Sequence, residues 1–103
     1  MTEATLTKQV FAYLRSLKAA GWPIWFVKRH TSPMSRAGLP DVQIILRGHA
    51  IEVELKRPGK KATKLQLHTL HKMAAAGATT AVVTRVEKLR ELIEAFRESS
   101  DHV

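Results

Sequence analysis

The chain has 103 residues, of which 45 % are hydrophobic and 25 % charged, a globular rather than a disordered composition. It holds no cysteine, which excludes a disulfide scaffold, thiolate-bound zinc, an iron–sulfur centre and a thiol nucleophile. Seventeen Lys and Arg against nine Asp and Glu leave a formal charge of +8. No apolar run approaches the roughly 20 residues that cross a bilayer, and Met1–Val10 lacks the basic start and apolar core of a signal peptide. A single soluble, intracellular domain with no membrane partner is expected.

The first element reads as a helix, with Leu6, Val10, Tyr13, Leu14 and Leu17 at three- and four-residue spacing, Gly21 at its stop and Pro23 beyond. Ile24–Val27 reads as a strand running into a polar loop, Lys28–Ala37. A second strand is expected from about Asp41 to Arg47 and a third from Ala50 to Lys56, joined by a tight turn at Gly48-His49. Val42, Ile44 and Leu46 then share one face with Ile51, Val53 and Leu55. Thr63 to about Ala76 reads as a helix ending at Gly77, and Thr79–Thr84 as a short buried strand. The last helix runs from Val86 to about Glu98. A strand–helix–strand crossover implies parallel pairing of the last two strands, so the sheet is mixed and the domain is a small α/β fold of order αβββαβα.

Charge is distributed unevenly. Residues 1–77 carry a net charge of +9 and residues 78–103 a net charge of −1. A basic surface of this size attracts polyanions, nucleic acid first among them; a merely solvated basic face is the plainer alternative. Four acids lie within the basic part: Glu3, Asp41, Glu52 and Glu54. Alternate residues of a strand share a face, and the hairpin returns Asp41 to the Glu54–Lys56 end. Carboxylates gathered there repel one another unless a cation compensates them. Lys56 is one such cation. A hard divalent ion is another, since magnesium is typically held by one or two carboxylates together with water and phosphate oxygens.

Gly38-Leu39-Pro40-Asp41-Val42, then Glu54-Leu55-Lys56 followed by Arg57-Pro58-Gly59, then Gln66 on the next helix, resembles the PD-(D/E)XK nuclease superfamily, and within it the stand-alone VRR-NUC family. The likeness runs from Glu3 to about Leu92 and implies a restriction-endonuclease-like core spanning residues 1–103 as one domain. It implies that Glu3, Asp41 and Glu54 ligate Mg2+ or Mn2+. It further implies that Asp41, Glu54, Lys56 and Gln66 form the catalytic set, with Lys56 serving the attacking water or the transition state. The implied activity is structure-selective endonucleolytic cleavage of branched DNA, four-way (Holliday) junctions included, by a cytoplasmic homodimer of bacterial or phage type. A non-catalytic DNA- or RNA-binding module is the alternative from another class. A flap, duplex or exonucleolytic enzyme of the same superfamily is a further one.

Each assignment has a plainer counterpart. Glu3 is also what a helix dipole favours in the first turn. Thr63-Lys64-Leu65-Gln66 has capping-box spacing, so Gln66 can reach back to a backbone N–H. Glu52 stands where the family pattern is more usually apolar, and is expected to be exposed at the far end of its strand. His68 and His71 read as surface histidines rather than a metal pair, and His30 lies in the loop before Asp41. Lys28, Arg29 and Arg36 on one side of the acidic site, and Arg57, Lys60, Lys61 and Lys64 on the other, are expected to contact the nucleic-acid backbone. Trp22 and Trp25 are expected to pack the sheet or a subunit interface.

Overall fold

A computed structural model describes residues 1–30 and 37–101, with side chains as far as Phe96. Thr2 caps the first helix by accepting the Thr5 N–H at 3.1 Å. Helix α1 (Glu3–Ala19) buries Leu6, Val10, Tyr13, Leu14 and Leu17 and is followed by Gly21 at φ +91°. Strands β1 (Ile24–Lys28), β2 (Val42–Leu46), β3 (His49–Leu55) and β4 (Thr79–Val83) form one sheet in the order β1-β2-β3-β4. The first two pairings are antiparallel and β3 runs parallel to β4. Helix α2 (Lys64–Ala75) makes the crossover, and α3 (Val86–Asp101) closes the chain. The expected order of elements and the mixed α/β sheet are therefore the observed ones. No described helix is long and apolar enough to cross a membrane.

One face of the sheet carries the core. Val42, Ile44, Leu46, Ile51, Val53, Leu55 and Val83 pack there against α1 and against Leu89 and Ile93 of α3. His49 lies on the same side, stacked on Phe96 at 4.7 Å between ring centroids. On the opposite face α2 covers β4 and part of β3, while Trp25 of β1 remains 52 % exposed. Trp22 is half-buried against the core.

Two local expectations are corrected. The hairpin turns at Arg47-Gly48, one residue earlier than Gly48-His49, because both adopt positive φ (+51° and +82°), as a two-residue turn of matching twist requires. Strand β4 is buried only at Val83, since it is an edge strand and its other positions are half-covered.

The turn position sets the register. Val42 pairs with Val53, so one further step along the ladder puts Asp41 opposite Glu54. A turn at Gly48-His49 would have put Asp41 opposite Lys56 instead.

Candidate active site

The Gly38-Leu39-Pro40-Asp41 turn is fixed by close packing. Gly38 has φ +84°, and a Cβ there would approach Leu65 Cγ of α2 to 2.7 Å, so the turn lies against α2 as only glycine allows. Asp41 follows, immediately before β2. Its Oδ2 accepts the Leu55 N–H at 2.9 Å and its main-chain carbonyl accepts the Arg29 N–H at 2.7 Å. The Asp41 carboxylate is thereby aimed at the end of β3.

Glu54 meets it there. It projects to the α2 side of the sheet and is only 2 % exposed. Gln66 donates from Nε2 to Glu54 Oε1 at 3.1 Å, and Lys56 Nζ lies 4.0 Å from the same oxygen. Glu54 Oε2 is buried and receives no hydrogen bond. Its carboxyl pKa is pushed up to about 8, by burial first and then by the adjoining Asp41 carboxyl. Lys56 opposes the shift and Glu3 adds to it. Glu54 therefore retains a proton near neutrality, where an exposed carboxylate would not.

Gln66 serves both roles that the sequence leaves open. Its Oε1 accepts the Thr63 N–H at 2.8 Å, completing the capping box with the Thr63 hydroxyl. The amide nitrogen on the other side of the same group holds Glu54.

Two clefts flank the pair. One, of about 450 Å3, is lined by Thr2, Glu3, Lys56, Arg57, Lys60 and Lys61. The other, of about 400 Å3, is lined among others by Glu3, Lys28, Arg29, His30 and Asp41. Glu3 thus stands at the wall between the clefts. It shares the second cleft with Asp41, but among the described residues no three Asp, Glu or His side chains form a ready cation cage. Lys64 is exposed at the start of α2, as are His68 and His71 further along it. Arg36 lies outside the described residues.

Glu52 and Arg29 depart from expectation. Glu52 is 3 % exposed, not at an open strand end, because β3 lies inside the sheet and every residue from Ile51 to Leu55 is buried. Arg29 lines the second cleft and stays partly exposed, while its guanidinium also pairs with a buried acid. Its Nη1 and Nη2 reach Glu52 Oε1 and Oε2 at 2.5 and 3.2 Å, and Nη1 also donates to the Pro40 carbonyl at 3.0 Å. Gln43 donates to Glu52 Oε2 at 2.8 Å.

The donor set of Asp41 and Glu54 suits a hard cation. Both are oxygen donors, one oxygen lacks any partner, and a divalent ion can replace the retained proton without an all-protein cage. A stability signature follows for the metal-free protein. A carboxyl whose folded pKa lies above the unfolded value of 4.5 favours the folded state fully below pH 4.5 and loses that contribution as pH rises through about 8. The melting temperature of the metal-free protein is expected to fall across that interval, and Glu54→Gln to flatten the fall. An unchanged pH profile in the variant contradicts the assignment.

No protein-family profile matches the sequence, and no curated protein does. Solved structures do match it. One, described as a VRR_NUC domain, is 27 % identical, superposes with a TM-score of 0.70, and is aligned over 91 % of this chain and 97 % of its own. A second, described as a VRR_NUC domain protein, is 23 % identical with a TM-score of 0.71 over 92 % of this chain and 87 % of its own, and supports the fold. The near-complete alignment with the 27 % identical structure supports the assignment of this chain to the VRR-NUC family as a nuclease-type domain.

Proposed function

We propose that the protein is a divalent-metal-dependent endodeoxyribonuclease that hydrolyses phosphodiester bonds in branched DNA, four-way junctions among them. Residues 1–103 act as one domain, in a cytoplasmic homodimer. The observation that carries the reading is the meeting of Asp41, Glu54 and Lys56 between two clefts with basic walls.

In this reading Asp41 and Glu54 hold Mg2+ or Mn2+, with Glu3 close enough to add charge from the cleft wall. When bound, the cation supplies activation of a water and compensation of the charge that develops on the phosphoryl group. Gln66 keeps Glu54 aimed by holding Oε1. Lys56, on the residue after β3, offers an ammonium to the attacking water or to a phosphoryl oxygen. Arg57, Lys60 and Lys61 line one approach and Lys28 the other, with Arg36 and Lys64 adding positive charge, so phosphates are drawn in from both sides. Backbone contacts of this kind carry little base information, which favours selection by DNA shape. The exposed apolar side chains Trp25 and Val27 on edge strand β1 support pairing with a second copy.

The deciding experiment offers the purified chain duplex, flap, single-stranded and four-way DNA with Mg2+, with Mn2+ and with EDTA. Metal-dependent nicking that favours the four-way substrate is expected. Binding that is indifferent to EDTA and never cuts supports a non-catalytic module instead. Affinity is expected to fall steeply with salt. Lys60→Ala with Lys61→Ala should lower the slope of log K against log salt by about 0.9 for each phosphate no longer neutralised. An unchanged slope removes both lysines from the interface.

A further inference from the structure

Glu52 belongs to neither basic wall nor apolar core, and Arg29, which lines the second cleft, turns its guanidinium onto it. Glu52 is a carboxylate on the interior strand β3, two residues before Glu54 and on the same face. It is buried, and the side chains that satisfy it are Arg29 from the end of β1 and Gln43 from β2. Arg29 does more than neutralise it. Its guanidinium holds the Pro40 carbonyl and its own N–H holds the Asp41 carbonyl, so one residue grips two consecutive peptide units of the turn that carries Asp41. The planar fork of arginine suits this, since a single group can meet a carboxylate edge and a carbonyl together.

We propose that Glu52 and Arg29 form a positioning pair that fixes the spacing between the Asp41 and Glu54 carboxylates. One partner stands on the strand that bears Glu54, and the other clamps the turn that bears Asp41. Arg29 therefore acts through Asp41, although it also lines the second cleft. The inference deepens the nuclease reading and rests on it for its kinetic consequence. Its structural content, a turn clamped to a strand, stands on the hydrogen bonds alone.

The test uses the full chain with Arg29→Lys, Glu52→Gln and the two combined. Mn2+ affinity is measured by calorimetry, single-turnover cleavage of a four-way junction at saturating DNA, and DNA affinity against salt with Ca2+ in place of the active metal. Partners that orient metal ligands typically contribute about 10- to 100-fold in affinity or activity. Each single variant is expected to weaken Mn2+ binding and slow cleavage within that range. Excess Mn2+ is expected to recover part of the rate. The double variant should lose no more than the worse single one, because the two residues act as a unit. DNA affinity and its salt slope are expected to stay within about twofold of the parent.

Folded variants with undiminished Mn2+ affinity and rate overturn the proposal, as does a lowered melting temperature with those two readouts intact. A salt slope shallower by about 1 at an unchanged rate makes Arg29 a phosphate contact and overturns it equally. Should Glu52→Gln fail to fold, Arg29→Lys, which retains the charge and loses the fork, decides alone. If the parent binds Mn2+ but cuts no DNA, the nuclease reading falls while the Mn2+ affinities of the variants still decide the positioning role.

Discussion

Glu54→Gln is expected to lower cleavage by roughly 10²- to 10³-fold, the loss that follows removal of one preorganised charge-stabilising group. The substitution keeps the shape of the side chain and leaves Gln66 a carbonyl oxygen to hold, so the fold should survive it. Metal-free stability is expected to move in the opposite direction from activity. Above about pH 8 the parent carries an ionised Glu54 against Asp41 in a buried place, and the variant does not. A gain in melting temperature together with a loss of cleavage separates a strained functional group from an ordinary structural one. Lys56→Ala should lower cleavage within a similar range, roughly 10²- to 10⁴-fold, yet worsen the repulsion, because Lys56 lowers the Glu54 pKa. Parent-like nicking by either variant removes the catalytic assignment of that residue. The two variants differ in stability and agree in activity, a combination that a change in folding alone does not produce.

Ile51→Ala is expected to have the largest effect on the fold. Ile51 is 0 % exposed, lies on interior strand β3 and joins the cluster that binds α1 and α3 to the sheet. Truncating a buried Ile typically costs about 2–5 kcal/mol, part of it from the cavity left behind. Small domains hold only about 5–15 kcal/mol in total, so a large share of the stability disappears. Urea denaturation should show the midpoint fall by a corresponding fraction with an unchanged slope. Leu67→Ala on α2, an exposed position, is expected to shift it by less than about 0.5 kcal/mol. Similar effects at both positions contradict the placement of the core on the α1 and α3 side of the sheet.

Much of this architecture is legible in the sequence because it rests on periodicity. The alternation of Val42, Ile44 and Leu46 against Ile51, Val53 and Leu55 identifies one buried face, and the same alternation sets Glu54 on the other. The crossover through α2 makes β3 and β4 parallel without further information. The turn is harder to place. Glycine draws it to Gly48-His49, whereas Arg47 also adopts a left-handed conformation and moves it one residue earlier. That step matters at the site, since register decides whether Asp41 meets Glu54 or Lys56.

The burial of Glu52 escapes the sequence for a different reason. Alternation shows which face a residue takes but not how deeply the strand lies within the sheet. The burial of Glu52 is compensated by Gln43 and by Arg29, which is 23 residues away in the chain. Arg29 in turn looks like one more surface base, because local sequence cannot reveal a distant buried acid. Gln66 is legible in both of its roles, since capping-box spacing fixes one end of the amide and the helix position leaves the other free to meet β3.

The most direct measurement is a calorimetric titration of the metal-free protein with Mn2+ near pH 7, repeated in buffers of different ionisation enthalpy. Saturable binding is expected, with release of about one proton per ion, as the cation displaces the proton that Glu54 retains. Binding should vanish or weaken strongly in Asp41→Asn and in Glu54→Gln. Absence of binding, or binding of parent-like strength in both variants, contradicts the claim that these two carboxylates hold the metal.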